Sequence, residues 1–466
     1  MNFSGIKKIL VIKLRHIGDV LLSVPVFRAL RENFPEAHIA ALVNSGTEEV
    51  LEASPFINEI IAFDRGIKKM NPVQRYRKEL AFLRMLRKKG FDTAVDLTGG
   101  DRAAIISFVS GASYRLGPDV KEGFLGKRYL YTHLAVRNNN QRTNQHIVLQ
   151  NLDIISRFGV KTDNLSVDIS IPEDARVFVK KVFEKNGINK IKTTPLCPPL
   201  IRGEFKGGVF SEGNATVVHV HPTSRWLFKC WRDEYMAEVI QWLIDRGIIV
   251  IVTSAPDKRE MEKAKRILSL VPEFTPPHIP PLARGGIGGV VNLCGKTNIK
   301  QLAAISEVSD LFFGVDSAPM HIAAAVGTPV VALLGPSGAF HWGPWDNNYR
   351  GQGSGVRGQE RPYQKQNGGD CPGFTDTTPF KSPLTKGDLG GCRIATVPVG
   401  QTEETPYPKR NGIQTFGIHT VIQQDWKCIP CGKDGCDGSK TSRCLEEIKT
   451  EEVINILKGK LKAIKK

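Results

Sequence analysis

Lys8-Ile9-Leu10-Val11-Ile12-Lys13-Leu14-Arg15-His16-Ile17-Gly18-Asp19-Val20-Leu21-Leu22 is the stretch on which the fold turns. Ile9 to Ile12 is an unbroken apolar run between two lysines, the pattern of a short strand buried on both faces. A polar turn, Arg15–Asp19, follows, and a helix is expected over Val20–Arg31. The same rhythm continues outward. His38–Val43 and Glu59–Phe63 read as strands, a basic helix follows, and Thr93–Leu97 reads as the next strand. Strands alternating with helices call for a parallel sheet joined by crossover helices.

A second series begins near Ala215. Strand Thr216–Val220 leads through the loop His221–Lys229 to a helix from Asp233. Strand Ile248–Thr253 leads through Ser254-Ala255-Pro256 to a helix from Lys258, and Leu311–Val315, Ala318–Val326 and Val330–Leu334 complete the series. The fold class is therefore α/β, with two doubly wound domains facing a cleft. In such sheets ligands sit beyond the carboxyl ends of the strands. The expected domains are 1–189 and 215–448, with a Lys-rich C-terminal helix or tail over 449–466.

Three segments break the rhythm and share a repeat, Pro-Leu-x-(Arg/Lys)-Gly followed by Gly-Gly. The copies are Pro199–Gly203 with Gly207-Gly208, Pro281–Gly285 with Gly288-Gly289, and Pro383–Gly387 with Gly390-Gly391. They are too far apart for a tandem solenoid. Their Pro/Gly richness cannot build a core, so spans 190–214, 272–290 and 351–415 are expected to be loop insertions. Ligand-binding loops are the alternative.

The chain has 466 residues, 41% hydrophobic and 24% charged, enough for two ordinary cores. No apolar run is long enough to span a membrane. Lys13, Arg15, His16 and Asp19 interrupt the apolar N-terminus, which speaks against a signal-peptide core, and a cytoplasmic protein is expected. Nine cysteines are expected as free thiols or metal ligands rather than a disulfide framework.

The net charge is +17. About half of it sits between Arg65 and Gly90, where ten Lys/Arg face one acid, Glu79. Val73, Tyr76, Leu80 and Leu83 recur at helical spacing, so the charges are expected on the outer face of an amphipathic helix. A solvated face and attraction to an anionic surface, phospholipid or phosphorylated substrate, are both open. Lys458 to Lys466 adds five more lysines. No nucleic-acid-binding signature is present, so nucleic acid is not expected as a partner.

Four clusters could carry chemistry. Gly18-Asp19 suits either a helix cap or a general base at a strand's carboxyl end. His221-Pro222-Thr223-Ser224-Arg225-Trp226-Leu227-Phe228-Lys229 gathers hydroxyls, amides and cations between a strand and a helix, which suits a phosphate. It is not a P-loop. Gly314-Val315-Asp316-Ser317-Ala318-Pro319-Met320-His321 lies on another strand-to-helix turn, where Asp316 or Ser317 could cap and exposed amides could bind an anion. Cys428, Cys431, Cys436 and Cys444 have the count for a zinc site, with tighter spacing than a two-knuckle ribbon. Free thiols or an occasional disulfide are the first expectation, and zinc the alternative. No Asp-x-Asp pair for a nucleotide-bound metal is present.

Together these clusters resemble glycosyltransferase family nine, the ADP-heptose:lipopolysaccharide heptosyltransferases. Lys13–Leu22, His221–Trp231 and Asp316–His321 running on to Gly335-Pro336-Ser337 carry the resemblance. Pro222–Trp226 with Phe228–Trp231, Trp342-Gly343-Pro344-Trp345 and Cys431–Cys436 are most similar to the heptosyltransferase III type. The resemblance implies a GT-B fold of two Rossmann-like domains, acceptor on the first and sugar nucleotide on the second. It implies inverting transfer of L-glycero-D-manno-heptose from ADP-heptose to an inner-core heptose, with no cofactor and no catalytic metal. Asp19 would be the general base and Lys229 would neutralise the departing phosphate. Thr223 and Ser224 would bind the pyrophosphate, and Gly18 and Arg225 would line the site. Glu260 would meet the ribose, and Asp316, Ser317, Ala318 and His321 would bind the donor sugar and phosphates. The acceptor would be a phosphorylated lipid A-core, with the protein peripheral on the inner membrane through segment 65–90. A family member with another donor or acceptor, or a dead sugar-nucleotide-binding paralogue, are the competing implications.

Overall fold

The computed structural model describes residues 5–120, 122–135, 145–188, 190, 215–272, 289–349 and 406–464. Most of the three expected insertions lies outside these residues.

The first sheet is built from β1 (Lys8–Lys13), β2 (His38–Asn44), β3 (Glu59–Phe63), β4 (Thr93–Asp96), β5 (Tyr114–Pro118) and β6 (His133–Ala135). All pairs are parallel, in the order β3-β2-β1-β4-β5-β6. The quoted strand thus sits at the centre, and Ile9 to Ile12 are fully buried, as an apolar run flanked on both faces requires. Helices α1 (Ile17–Leu21), α2 (Val24–Asn33) and α5 (Ile147–Ser156) cover one face. Helices α3 (Pro72–Lys89) and α4 (Asp101–Val109) cover the other.

The expected helix Val20–Arg31 is two helices, and the first starts at Ile17. Pro25 supplies the reason. It has no N–H to donate, and within one continuous helix its ring would strike the carbonyl of Leu21. Asp19 therefore lies in the first turn of α1 and not before the helix. The basic segment is also divided, into a 3-10 turn, Arg65–Lys69, and α3. The stripe expected to face the core does so only from Leu80 onward. Val73 and Tyr76 are 68% exposed.

The second sheet takes β7 (Val217–His221), β8 (Ile249–Val252), β9 (Val290–Asn292), β10 (Leu311–Val315), β11 (Val330–Leu333), β12 (Gln414–Phe416) and β13 (His419–Ile422). Its order is β12-β13-β11-β10-β7-β8-β9, parallel except for the β12–β13 hairpin. Helices α7 (Asp233–Ile244), α8 (Lys258–Ser269), α9 (Ile299–Val308), α10 (Ala318–Ala325), α11 (Ala339–Trp342), α12 (Arg443–Glu446) and α13 (Thr450–Ile464) complete the set. The Lys-rich C-terminus is a docked helix whose Val453, Leu457 and Leu461 join the core around α7.

Domain limits differ from expectation in two places. Helix α6 (Glu173–Lys185) was expected in the first domain. Its apolar face, Ala175, Val179 and Phe183, instead packs on Val217, Ile249 and Val291 of the second sheet. The expected third insertion also reaches too far. Tyr407 is fully buried and donates its hydroxyl to the Pro344 carbonyl at 2.7 Å, and Gln414 begins β12. The two halves share one core. Leu302, Ala303, Ile322, Ala325 and Trp345 pack in the same cluster as Ile9, Val20 and Leu21. No helix among the described residues is long and apolar enough to cross a membrane.

Candidate active site

The carboxyl ends of β1 and β4 hold the first wall. Lys13 is buried, its ammonium donating to the Leu97 carbonyl at 3.1 Å and to Asn151 at 2.9 Å. Asp96 accepts from the Tyr131 hydroxyl at 2.6 Å and from the Thr98 and Gly99 amides. Thr98 in turn takes the Leu14 amide at 2.9 Å, and its carbonyl accepts from Arg15. These bonds fix the loop that delivers Gly18 and Asp19. Gly18 is required by a close approach. A Cβ there would lie 2.9 Å from His321 Cδ2 and 3.8 Å from Ala318 Cα. Helix α1 of one sheet thus meets α10 of the other almost backbone to side chain.

The second wall is set from below by a buried chain of polar groups. His219 pairs with Ser306 at 2.8 Å and with Thr253 at 2.7 Å, and Thr253 pairs with His221 at 2.8 Å. Burial pushes His221 down to about 3, so it stays neutral and can share a hydrogen with a hydroxyl. The chain ties the ends of β7 and β8, where the loop Pro222–Lys229 departs. In that loop Thr223, wholly buried, donates to the Glu260 carboxylate at 2.8 Å. Burial raises Glu260 above the usual carboxylate range, against the Thr223 hydrogen bond. Thr223 was expected to reach a pyrophosphate with its hydroxyl. That hydroxyl donates to Glu260. Ser224 is buried beside it and Arg225 is exposed.

Lys229 closes the cluster. Its ammonium donates to Asp316 Oδ2 at 2.7 Å. Burial alone would raise Asp316. The Lys229 ammonium, the Ser337 hydroxyl and His321 outweigh it and hold the carboxyl below its ordinary range. Asp316 and Ser317 stand at the start of α10, with Ser317 at the cap position and its hydroxyl on the Val315 carbonyl at 3.2 Å. His321 is buried between the walls, with Asp19, Asp316 and Lys229 all within electrostatic reach. Burial outweighs both carboxylates and pushes it down to about 4, so it is neutral near pH 7. Its Nδ1 has no hydrogen-bond partner among the described residues.

Gly18, Asp19, Lys229, Asp316, Ser317, Ala318 and His321 therefore converge, with Thr223, Ser224, Arg225 and Glu260 on the adjoining rim. Two further cleft residues lie in the quoted motifs but were given no role there. His16 meets Trp226 edge-on across the two walls, ring centroids 6.4 Å apart, and Trp226 remains 43% exposed. The signal was an aromatic beside Arg225 in a polar loop, which has no periodicity to flag it. A zinc site was the lesser of the readings of the four C-terminal cysteines, beside free thiols. Among the described residues no group of three or more His, Cys, Asp or Glu side chains is placed to hold a metal. Cys428 and Cys431 are exposed while Cys444 is buried. Burial first, then the neighbouring cysteines, push the Cys444 thiol up to about 12, which keeps it protonated.

Two largely parallel α/β sheets meeting at a cleft lined by both make a fold of the GT-B type. A carboxylate on one wall faces a lysine and a helix N-terminus on the other. The chain belongs to glycosyltransferase family 9 (heptosyltransferase), whose profile matches residues 79–369. Lipopolysaccharide heptosyltransferase 3 of Escherichia coli is 28% identical over 338 residues, covering 72% of this chain and 85% of the relative. The solved structure of Escherichia coli ADP-heptose lps heptosyltransferase II superposes with TM-score 0.58 at 17% identity, covering 97% of this chain and 98% of that one. Escherichia coli heptosyltransferase WaaC, solved with ADP, superposes with TM-score 0.52 at 19% identity, covering 73% and 91%.

Proposed function

We propose that this heptosyltransferase moves L-glycero-D-manno-heptose from ADP-heptose to an inner-core heptose of lipopolysaccharide, with inversion at the anomeric carbon. The observation that carries the proposal is the convergence of Asp19 with the Lys229–Asp316 pair and neutral His321 across one cleft. The name of the Escherichia coli relative and the ADP in the WaaC structure support the choice of sugar and donor.

In this mechanism Asp19 accepts the proton of the acceptor hydroxyl as its oxygen bonds to the anomeric carbon. The bond from that carbon to the phosphate oxygen breaks on the opposite face, and ADP departs with the electron pair. Lys229 meets the charge that develops on the phosphate, where a preorganised cation is most effective. The amides at the start of α10 hold the donor phosphates. Glu260, held by Thr223, faces the ribose. Base and cation come from different sheets, so catalysis requires the cleft to be closed around both substrates. The acceptor is lipid-linked, which brings the protein to the cytoplasmic face of the inner membrane.

Purified protein incubated with ADP-heptose and truncated inner-core acceptors is expected to give a product one heptose heavier, with inverted anomeric configuration by NMR. Asp19→Ala is expected to lower kcat at least 100-fold, within the range for loss of a general base. ADP binding by calorimetry should be unchanged in that variant. Wild-type protein that binds ADP and transfers nothing would sink the proposal.

A further inference from the structure

Seven of the thirteen large apolar side chains exposed among the described residues fall between Val73 and Tyr129. They lie on three neighbouring elements of one layer: α3, α4, and the 3-10 turn Lys127–Leu130 with the loop before it. Arg102 of α4 reaches Glu79 of α3 at 3.2 Å, and Lys127 reaches Asp101 of α4 at 3.6 Å, so the three are tied together. Every residue from Asn71 to Lys78 is exposed, so the first turns of α3 stand clear of the body. Val73 and Tyr76 share a face there, three residues apart. Leu125 is 103% exposed and Tyr129 84%.

A solvated basic helix accounts for the cations. It does not account for leucine, phenylalanine and tyrosine at the tips of the same layer. Between Arg65 and Gly90 ten Lys/Arg face only Glu79, and Glu79 already pairs with Arg75 and Arg102. Apolar tips inside a strong positive field match an anionic bilayer surface, where apolar groups enter the head-group region and cations meet phosphates. The position fits too. Helix α4 starts directly after Thr98-Gly99-Gly100, Lys127 donates to the Gly99 carbonyl at 3.2 Å, and Thr98 holds the loop that carries Asp19.

We propose that this face docks the protein on an anionic phospholipid bilayer, with Phe124, Leu125 and Tyr129 entering the interface and the α3 cations on the phosphates. It rests on the reading that the acceptor is lipid-linked. It goes beyond charge attraction by assigning an inserted apolar loop beside the acceptor end of the cleft.

The test is flotation of the full chain with vesicles of phosphatidylcholine, with and without phosphatidylglycerol. The protein is expected to float with the anionic vesicles and far less with the neutral ones. Leu125→Asp should lower the partition coefficient about tenfold or more. Arg77→Ala and Lys78→Ala should each lower it about fivefold, and Lys181→Ala, on α6, should leave it unchanged. Leu125 is fully exposed, so melting of Leu125→Asp should match wild type. That variant should keep transfer to a deacylated, soluble acceptor and lose transfer to acceptor embedded in vesicles. Absence of flotation, flotation indifferent to Leu125→Asp, or self-association that Leu125→Asp abolishes overturns the proposal. Failure of wild type on the soluble acceptor defeats the functional reading and leaves the flotation result standing.

Discussion

Gly18 is the residue on which the two walls most directly depend. Its missing side chain lets α1 approach the ring of His321, which is buried and has little room to retreat. Gly18→Ala is expected to push α1 from α10 and to lower kcat at least tenfold, by misplacing Asp19 against the donor wall. Circular dichroism should show an unchanged fold, and steady-state kinetics with the soluble acceptor would show the loss. An Ala variant with wild-type kcat would mean that the cleft does not need this contact. The residues that converge here were legible in the sequence as three strand-to-helix turns, because parallel α/β sheets concentrate ligand groups at those turns. Their partners were not. Nothing in the spacing of Thr223 and Glu260, or of Lys229 and Asp316, says that they bond to each other. The His219–Thr253–His221 chain was likewise hidden, since its members look like ordinary strand residues.

Among the elements, strands were the most legible. The expected Glu59–Phe63 and Leu311–Val315 match β3 and β10 end to end; β10, buried throughout, shows as a plain apolar run, whereas β3 is a partly exposed edge strand. Helices were less so. Pro25 announced the break between α1 and α2, yet the apolar residues around it run on as if in one helix. The apolar face of α6 is plain in the sequence, but a face does not say which sheet will cover it. The edge of the third expected insertion was misjudged for a similar reason. Tyr407 lies among Pro, Gly and charged residues, with no periodicity to mark it as core, yet it fills the space beside Gly343 and Pro344. Tyr407→Ala is expected to destabilise the protein by about 3–5 kcal/mol. Chemical denaturation would read this as a lower midpoint with an unchanged slope; a midpoint equal to wild type would return 406–415 to the insertion.

At the scale of the whole molecule, buried histidines govern the response to acid. His146 and His221 are held near 3 and His321 near 4, all by burial, against 6.5 for an exposed histidine. As pH falls from 6.5 toward 4, the unfolded chain takes up protons that the folded protein cannot. Stability therefore falls across that window, by up to about 1.4 kcal/mol per pH unit for each group. Asp316 acts later. Its depressed carboxyl contributes stability above the unfolded value of 3.8 and loses it as pH falls through the lower folded value. Melting temperatures should drop markedly from pH 7 to pH 5, and His321→Gln should shallow that slope by about one proton. A melting temperature flat over this range would mean that these rings are not buried neutral.

Because Trp345 belongs to the same buried cluster as Val20 and Leu21, part of the core around the first sheet comes from the other half of the chain. During synthesis Ile169, the last of the first half's core residues, precedes Trp345 by about 176 positions. At roughly 5–20 residues per second the unfinished core waits about 10–35 seconds for its final pieces. The nascent first half thus carries an unfinished apolar core through that interval.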